Sequence, residues 1–389
     1  MDEPITPFLK EYIGEVKYNT ESFLTDSVET LTGETKTLLL PRHVDFLDYL
    51  YLEVDWIHPA AHSTKFNQGH ALIDYVDLMN GDDILQRETG HTLYIRTIVG
   101  DSRPGLWDSH KQGMNALIGG VDWQDESKYP RSENEPYVLR IPLLFFFFGK
   151  TPLPICAMRF QEPKVRIRFR KCREFLAEDP GKELSMTIRL RMEGGYLTEK
   201  DRSAFLSRGH DMLMDDMHVF EYDSAGNVND IVRPEFFNPG KCLFFTMQDS
   251  EVLNSDDLFN FARDNTKLQR DLMNSVKLTI QGNVIASQEV ATHDFMRTSQ
   301  FHYSFPGGPI LDLNALIYVL NFCNRPLDLQ PSSHIMLNET HLEIRTNLPL
   351  RRGLLFNKVR VTVYALTVNV IRFRDGFVKK LWSNPKNYR

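Results

Sequence analysis

The chain has 389 residues, a formal net charge of -7 and four cysteines. This acidic balance excludes a protein whose main task is to coat nucleic acid, because neutralising phosphates requires a surplus of Lys and Arg. The cysteines lie far apart without a C-x-x-C pair, so the sequence predicts neither a zinc site nor a disulfide framework. The first residues lack the basic and apolar regions of a secretory signal, and no window of 18 apolar residues occurs.

Strand signals dominate the chain, as short runs rich in β-branched and aromatic residues separated by Gly, Pro, Asn or Asp. The predicted strands are residues 47–56, 71–79, 92–99, 186–192, 276–280, 315–322 and 359–373. Helical periodicity is sparse; we predict one helix within residues 254–273 and a short one that starts near Thr198. Regularly spaced strands with few helices indicate β-sandwiches.

Four consecutive phenylalanines, Phe145 to Phe148, follow Pro142. Neither the strand period nor the helix period places four adjacent rings on one side, so the segment must be covered on both faces. We therefore predict a fully buried strand in a sandwich core. Further along, Lys164, Arg166, Arg168 and Arg170 alternate with apolar residues. We expect this basic strand face to be solvated, or paired to acidic groups of a neighbouring subunit, rather than to bind specific nucleic acid.

Two pairs of similar short segments, which we call the sequence echoes, indicate that the halves of the chain are copies of one β unit. Residues 76–78 and the turn after them resemble residues 276–278 and their turn, and residues 164–167 resemble residues 358–361. Between the halves, residues 174–183 are polar and rich in turn formers, which is typical of a linker.

The sequence assigns no catalytic, cofactor-binding or metal-binding residue. Polar residues cluster between positions 210 and 218, but they lack H-E-x-x-H spacing and a third ligand, so we expect a solvent-facing loop or cap there. The members of that cluster are His210, Asp211, Asp215, Asp216 and His218. His58, His62 and His70 form no ligand pattern, and the His-x-His of metal-binding cupins is missing. The sequence leaves open a pair of catalytic carboxylates of the kind found in glycosidases, because such a pair is recognised by its distance in the folded protein and not by a sequence motif.

Four stretches, in the same order, resemble the double jelly-roll major capsid proteins of nucleocytoplasmic large DNA viruses. They are Gly69-His70-Ala71-Leu72-Ile73; Ile141-Pro142-Leu143-Leu144-Phe145 with Pro152-Leu153-Pro154-Ile155; Tyr196-Leu197 with His210-Asp211; and Leu316 to Phe322 with Gln330-Pro331-Ser332. The chain departs from the family pattern at Asp211, where Glu is usual, and at Ser333, where Gly is usual. It is also short for the family, which implies reduced surface loops.

The resemblance implies an all-β fold of two consecutive eight-stranded antiparallel jelly-roll β-sandwiches with few short helices in loops. The expected division is an N-terminal arm at residues 1–24, a first jelly roll at 25–173, a linker at 174–183, a second jelly roll at 184–375 and a C-terminal tail at 376–389. The terminal pieces are expected to contact neighbouring capsomers or minor capsid proteins.

The implied function is that of a structural major capsid protein, not an enzyme. Homotrimers would form pseudo-hexagonal capsomers that tile the icosahedral shell of a double-stranded DNA virus, assembled in the host cytoplasm. The implied partners are the chain itself, neighbouring capsomers, minor capsid or cement proteins and inner membrane proteins of the virion. No cofactor and no specific nucleic acid is implied. The alternatives are a carbohydrate-binding jelly-roll protein of the virion surface and, below it, a metal-dependent jelly-roll enzyme.

Overall fold

A computed structural model describes residues 18–57, 68–100, 136–176, 180–224, 229–249, 258–259, 261, 273–288, 317–323, 326, 335–346 and 359–382. The first half contains nine strands: β1 Tyr18–Leu24, β2 Val28–Leu31, β3 Thr35–Leu39, β4 Phe46–Ile57, β5 Ile73–Asn80, β6 Asp83–Thr89, β7 Pro136–Pro142, β8 Pro163–Phe169 and β9 Ser185–Leu197. Three α-helices are described, α1 Gln68–Leu72, α2 Gly90–Gly100 and α3 Glu199–Leu206.

Ten strands are described in the second half. They are β10 His210–Ser224, β11 Asn229–Val232, β12 Pro239–Asp249, β13 Met273–Ile280, β14 Asn283–Gln288, β15 Tyr318–Asn321, β16 Ile335–Met336, β17 Thr340–Thr346, β18 Val359–Arg374 and β19 Phe377–Lys380.

The strand order is the same in the two halves. The first half has sheets β1-β9-β4-β7 and β3-β8-β5-β6, and the second half has β10-β18-β12-β15 and β11-β17-β13-β14. Every named pairing is antiparallel, and β2, β16 and β19 add to the sheets outside these orders. Each half therefore contributes eight strands in two sheets whose apolar faces share a core, which confirms the predicted pair of jelly rolls. We call strands β1–β9 the first sandwich and β10–β19 the second sandwich.

The strand pairings correct the expected division of the chain. β9 pairs along its length with β1 and β4, so residues 185–197 belong to the first sandwich and the expected start of the second jelly roll at 184 is one strand too early. β1 lies within the expected arm, and β19 lies within the expected tail. Residues 1–17 and 383–389 lie outside the described residues.

One of the two sequence echoes marks equivalent places in the fold. Residues 76–78 lie on β5 and residues 276–278 on β13, and each strand continues through a tight turn into the next strand of the matching sheet. The other echo is wrong as a sign of equivalence, because residues 164–167 lie on β8, whereas residues 359–361 begin β18, the counterpart of β9.

α3 connects the two sandwiches. The Thr198 hydroxyl accepts a hydrogen bond from the Asp201 backbone N–H, which satisfies one of the unpaired donors at the helix start. This confirms the short helix predicted near Thr198. The helix predicted within residues 254–273 falls almost wholly outside the described residues; Leu258, Phe259, Phe261 and Met273 are placed there, and none of them is in a helix.

The predicted strand at residues 92–99 is wrong, because these residues form most of α2. Thr89 and Thr92 cap the helix reciprocally: the Thr89 N–H donates to the Thr92 hydroxyl at 2.7 Å, and the Thr92 N–H donates to the Thr89 hydroxyl at 3.2 Å. Residues 68–72, which include the start of the predicted strand 71–79, are also helical.

Three of the four phenylalanines are buried as predicted, but Phe148 is half-buried and the segment is not a strand. β7 ends at Pro142, and the chain then turns, with the Phe145 N–H bonded to the Leu143 carbonyl and the Phe148 N–H bonded to the Phe145 carbonyl. The rings of Phe145, Phe146 and Phe147 are fully buried in this turn. A turn directs successive side chains in different directions, which is how the three adjacent rings of Phe145, Phe146 and Phe147 all reach the core. No described helix has the length and apolar character needed to cross a membrane.

Candidate functional site

The two sandwiches meet through a buried apolar layer. The core of the first sandwich includes Met212 and Met214 from β10 and Ile371 and Phe373 from β18, although these strands belong to the second sandwich. From the other side, Ile95 of α2 is buried in the core of the second sandwich. Because apolar side chains are shared across the boundary, the sandwiches are not independent bodies joined by a linker.

Within this layer lies a group of charged and polar side chains, which we call the buried polar cluster; all of them are buried except Lys150, whose side chain is 27% exposed. Gln86, Glu88, Arg96 and Lys150 come from the first half, and Asp215, Asp216, Lys241 and Lys380 come from the second half.

Asp215 is the centre of the cluster. Its carboxylate is buried and accepts hydrogen bonds from Lys150 Nζ at 2.7 Å and from Lys241 Nζ at 2.6 Å. Lys150 follows the phenylalanine turn of the first sandwich, whereas Lys241 is the extra residue of a β-bulge in β12. Asp215 thus bridges cations from the two sandwiches.

The neighbouring Asp216 ties the C-terminal strand to the first sandwich. Its carboxylate lies 2.5 Å from Lys380 Nζ, and the same ammonium group donates to the Leu85 carbonyl of β6 at 3.2 Å. His218 lies 3.6 Å from the same carboxylate. One lysine of β19 therefore holds both β10 and β6.

The first sandwich contributes a hydrogen-bonded relay to the cluster. Gln86 Nε2 donates to Glu88 at 2.7 Å and to the Asp215 carbonyl at 3.2 Å, and Gln86 Oε1 accepts from the Phe146 N–H at 2.8 Å. Arg96 of α2 pairs with Glu88 at 3.0 Å. The relay fixes the position of the phenylalanine turn relative to β10.

Electrostatics keep the two aspartates ionised. Burial alone would raise the pKa of Asp215, but Lys150 and Lys241 outweigh burial and hold that pKa below its usual value. Burial likewise opposes ionisation of Asp216, and Lys380 with His218 lowers its pKa below the usual value. With each carboxylate matched by cations, the arrangement can fix one sandwich against the other; no group of three metal-ligating side chains occurs in the described part of the chain.

The structure separates the polar residues that the sequence grouped between positions 210 and 218. All five lie on β10, so the expected loop or cap is wrong. Asp211 pairs with Arg372 at the surface, and the His210 ring stacks on Phe205 at a centroid distance of 4.0 Å. Asp215 and Asp216 are buried in the cluster with separate cations. The sequence signal for this was the apolar flank, Met212 to Met214 and Met217, which marks the aspartates as interior.

Of the remaining histidines considered from the sequence, His58 and His62 lie outside the described residues. His70 is fully buried, and both of its ring nitrogens lack a hydrogen-bond partner in the described structure. Its ring contacts Tyr94 and Phe259 edge-on, each at a centroid distance of 6.4 Å. Burial lowers the pKa of His70 to about 3, so the imidazole is neutral in the folded protein at neutral pH.

This histidine predicts acid sensitivity. The unfolded chain binds a proton on His70 below about pH 6.5 and the folded chain does not, so stability falls as the pH drops from 6.5 towards 3. Between pH 7.5 and 4.5 the loss from this one group is on the order of 2 to 3 kcal/mol. We expect His70→Phe to reduce the fall in unfolding free energy over this range, measured by urea titration at each pH. If the substitution also changes the unfolding free energy by the same amount at every pH, that constant difference does not affect the comparison. An equal fall in unfolding free energy with pH in both proteins would contradict the prediction.

The basic strand face is paired with acidic side chains within the chain. Residues of β8 pair with acidic residues of the adjacent strand β5 and its turn: Arg166 with Asp77 at 2.6 Å, Arg168 with Asp74 at 3.3 Å and Lys164 with Asp82 at 3.3 Å. Arg170 donates to the Ala71 carbonyl. The face therefore presents paired charges rather than a free basic stripe.

The paired sheets and the buried layer between them define a double jelly-roll protein. No protein-family model and no curated protein sequence matches the chain. Solved structures with this fold do match. VP54 of PBCV-1, fitted into a reconstruction of the virophage Sputnik, is 14% identical with a TM-score of 0.76, and the match covers 97% of this chain and 100% of VP54.

Two further capsid structures match over nearly the whole chain. A quasi-atomic model of the PBCV-1 capsid is 15% identical with a TM-score of 0.75, covering 97% of this chain and 100% of that one. The Faustovirus major capsid protein is 12% identical with a TM-score of 0.72, covering 94% and 92%. The chain therefore has the double jelly-roll fold of the major capsid proteins of nucleocytoplasmic large DNA viruses.

Proposed function

We propose that this protein is a structural major capsid subunit of an icosahedral double-stranded DNA virus, and that three copies form a pseudo-hexagonal capsomer. The repeated strand order supports this proposal, because three chains with two equivalent sandwiches each present six similar units around a threefold axis. The proposed location is the virion shell, with assembly in the host cytoplasm.

The observation that carries the proposal is that the two sandwiches are packed against each other through a shared core and buried ion pairs. A six-unit tile keeps its outline only if the two units of each chain hold a fixed orientation. The shared apolar layer and the Asp215 bridge between Lys150 and Lys241 supply that fixed orientation. The match to VP54 and to the Faustovirus protein extends over both sandwiches, so it includes their relative placement.

Exposed apolar side chains at the ends of the sheets support contacts with other chains. Ile231 on β11 and Val284 on β14 are 56% and 55% exposed, and these strands end the order of one sheet. Leu24 on β1, another end strand, is 52% exposed. Apolar end strands invite random pairing unless they are covered, which favours neighbouring subunits as their partners. We propose that neighbouring capsomers, minor capsid or cement proteins and inner membrane proteins of the virion are the further partners.

Mass photometry followed by negative-stain electron microscopy tests the assembly. We expect particles of about 136 kDa, three times the 45.2 kDa chain, with threefold symmetry and a hexagonal outline. A dilution series distinguishes an obligate trimer, whose mass persists, from weak association. Particles of 45.2 kDa at every concentration would contradict the proposed capsomer.

A further inference from the structure

An open cleft lies beside the helix that connects the sandwiches. It has a volume of about 580 Å³ and is lined by α3 and by the segment around residues 155–159. Three arginines face it, Arg42, Arg159 and Arg202, against one acidic residue, Glu199. The cleft is therefore basic, although the chain as a whole is acidic.

Two of these arginines carry charge that is not neutralised within the described structure. Arg202 pairs with Asp45 at 3.1 Å. In contrast, Arg42 donates only to the backbone carbonyls of Arg159 and Gln161, and no described carboxylate forms an ion pair with Arg42 or Arg159. Both side chains are exposed. Such a pair of positioned guanidinium groups is suited to binding carboxylates.

An exposed aromatic pair continues the cleft. Phe160, the residue after Arg159, is 65% exposed and lies 5.0 Å from the ring of Phe377, which is 55% exposed. The Gly376 carbonyl accepts from the Arg159 N–H and fixes this pair at the junction of the two sandwiches. The surface as a whole fits an acidic segment that also carries apolar side chains.

β1, the first described strand, begins beside the cleft. β1 begins at Tyr18, which pairs with Leu197, the last residue of β9. Because Thr198, the next residue after Leu197, caps α3, the start of β1 lies beside the start of that helix. α3 supplies Glu199 and Arg202 to the cleft, so β1 begins next to the cleft.

Residues 1–17 have the matching chemistry. They contain Asp2, Glu3, Glu11 and Glu15 against Lys10 and Lys17, together with Ile5, Phe8, Leu9, Tyr12 and Ile13. Seventeen residues span up to about 55 Å when extended, whereas α3 is only about 12 Å long, so the segment is long enough to follow the cleft. Tethering next to the cleft gives the segment a high effective concentration that another molecule lacks.

We propose that the cleft between α3 and residues 155–159 binds the acidic segment 1–17 of the same chain, through Arg42 and Arg159. The segment covers the junction of the two sandwiches, and its apolar residues cover Phe160 and Phe377. This contact lies within one chain, in place of the contact with another capsomer that the sequence led us to expect for an N-terminal arm. It does not depend on the proposed capsid function.

Zero-length carbodiimide cross-linking of the full-length chain, with mapping by mass spectrometry, tests the proposal. Arg159→Lys keeps the positive charge and places a reactive amine in the cleft. We expect it to cross-link to a carboxylate of residues 1–17 at least tenfold more often than Lys182 does. Lys182 is the internal control, because it is exposed near the opposite end of β9. Adding Arg42→Glu should reduce the cross-link several-fold, as should 0.5 M salt.

An equal mixture of ¹⁴N-labelled and ¹⁵N-labelled protein separates contacts within a chain from contacts between chains. If both peptides of every cross-linked pair carry the same isotope, the cross-links lie within one chain and support the proposal. Mixed-isotope cross-links would overturn it in favour of a second copy as the occupant. A cross-link yield at position 159 no higher than at Lys182, or no response to Arg42→Glu in a variant with unchanged melting temperature, would also overturn it.

Discussion

Asp215→Asn lowers the free energy of unfolding by about 3 to 5 kcal/mol, because it leaves the buried ammonium group of Lys241 and the partly exposed one of Lys150 without their carboxylate. Asp215 is almost fully buried, and Lys241, one of its two partners, is equally buried. Asparagine has nearly the same shape, so the loss reports charge rather than packing. Urea denaturation at pH 7.5, followed by intrinsic fluorescence, measures the effect.

Asp211→Asn is the matched control on the same strand. Asp211 also forms a short ion pair, at 2.6 Å with Arg372, but both side chains are about half exposed. Exposed pairs contribute little, so we expect a loss of at most about 1 kcal/mol. Equal losses for the two variants would show that the Asp215 bridge does not hold the sandwiches together more firmly than a surface pair does.

The same variant has a defined pH dependence. The folded pKa of Asp215 is lowered, so its stabilising contribution is complete above the pKa of the unfolded carboxyl, about 3.9. That contribution is lost as the pH falls through the folded pKa. The difference between the wild-type protein and Asp215→Asn should therefore be constant from pH 7.5 to about 5 and should shrink below pH 4.

The sequence predicted the strands of the sheets better than it predicted the helix α2 that interrupts them. Turn residues and alternating strands marked β5 and β13 with their turns, and these strands occupy equivalent places in the two halves. α2 was mistaken for a strand because Thr92, Ile95 and Val99 favour strands when they are considered alone. The helix is instead stabilised by the Thr89 and Thr92 caps and by Tyr94, which stacks on Phe259 from the second half at 4.4 Å. A contact between residues so far apart in the sequence cannot be predicted from the local sequence pattern.

The buried polar cluster could not be predicted for the same reason. Lys150, Lys241 and Lys380 are separated by most of the chain, and each looks like an ordinary surface lysine in its own segment. Only the packing of β10 against the phenylalanine turn brings them to Asp215 and Asp216. The position of β9 was missed because the polar stretch before it resembles a linker, whereas the pairing of β9 with β1 and β4 is set by long-range register.

Phe147→Ala should also cost about 3 to 5 kcal/mol, because it removes a fully buried ring and leaves a cavity that the surrounding side chains fill only in part. The Phe147 ring packs edge-on against Phe146 at 5.6 Å and stacks against Phe145 at 6.2 Å. Through Phe146 and Gln86 the same turn is joined to the backbone of Asp215. The cavity therefore loosens the first sandwich where it meets the second.

Phe237→Ala is the control for this substitution, since it removes the same kind of ring from a position where it is 51% exposed. We expect it to change the free energy of unfolding by less than about 1 kcal/mol. If the turn also positions Lys150, Phe147→Ala combined with Asp215→Asn should lose less than the sum of the two single variants. Full additivity in that double-mutant cycle would mean that the phenylalanine turn supports only its own sandwich and takes no part in joining the two.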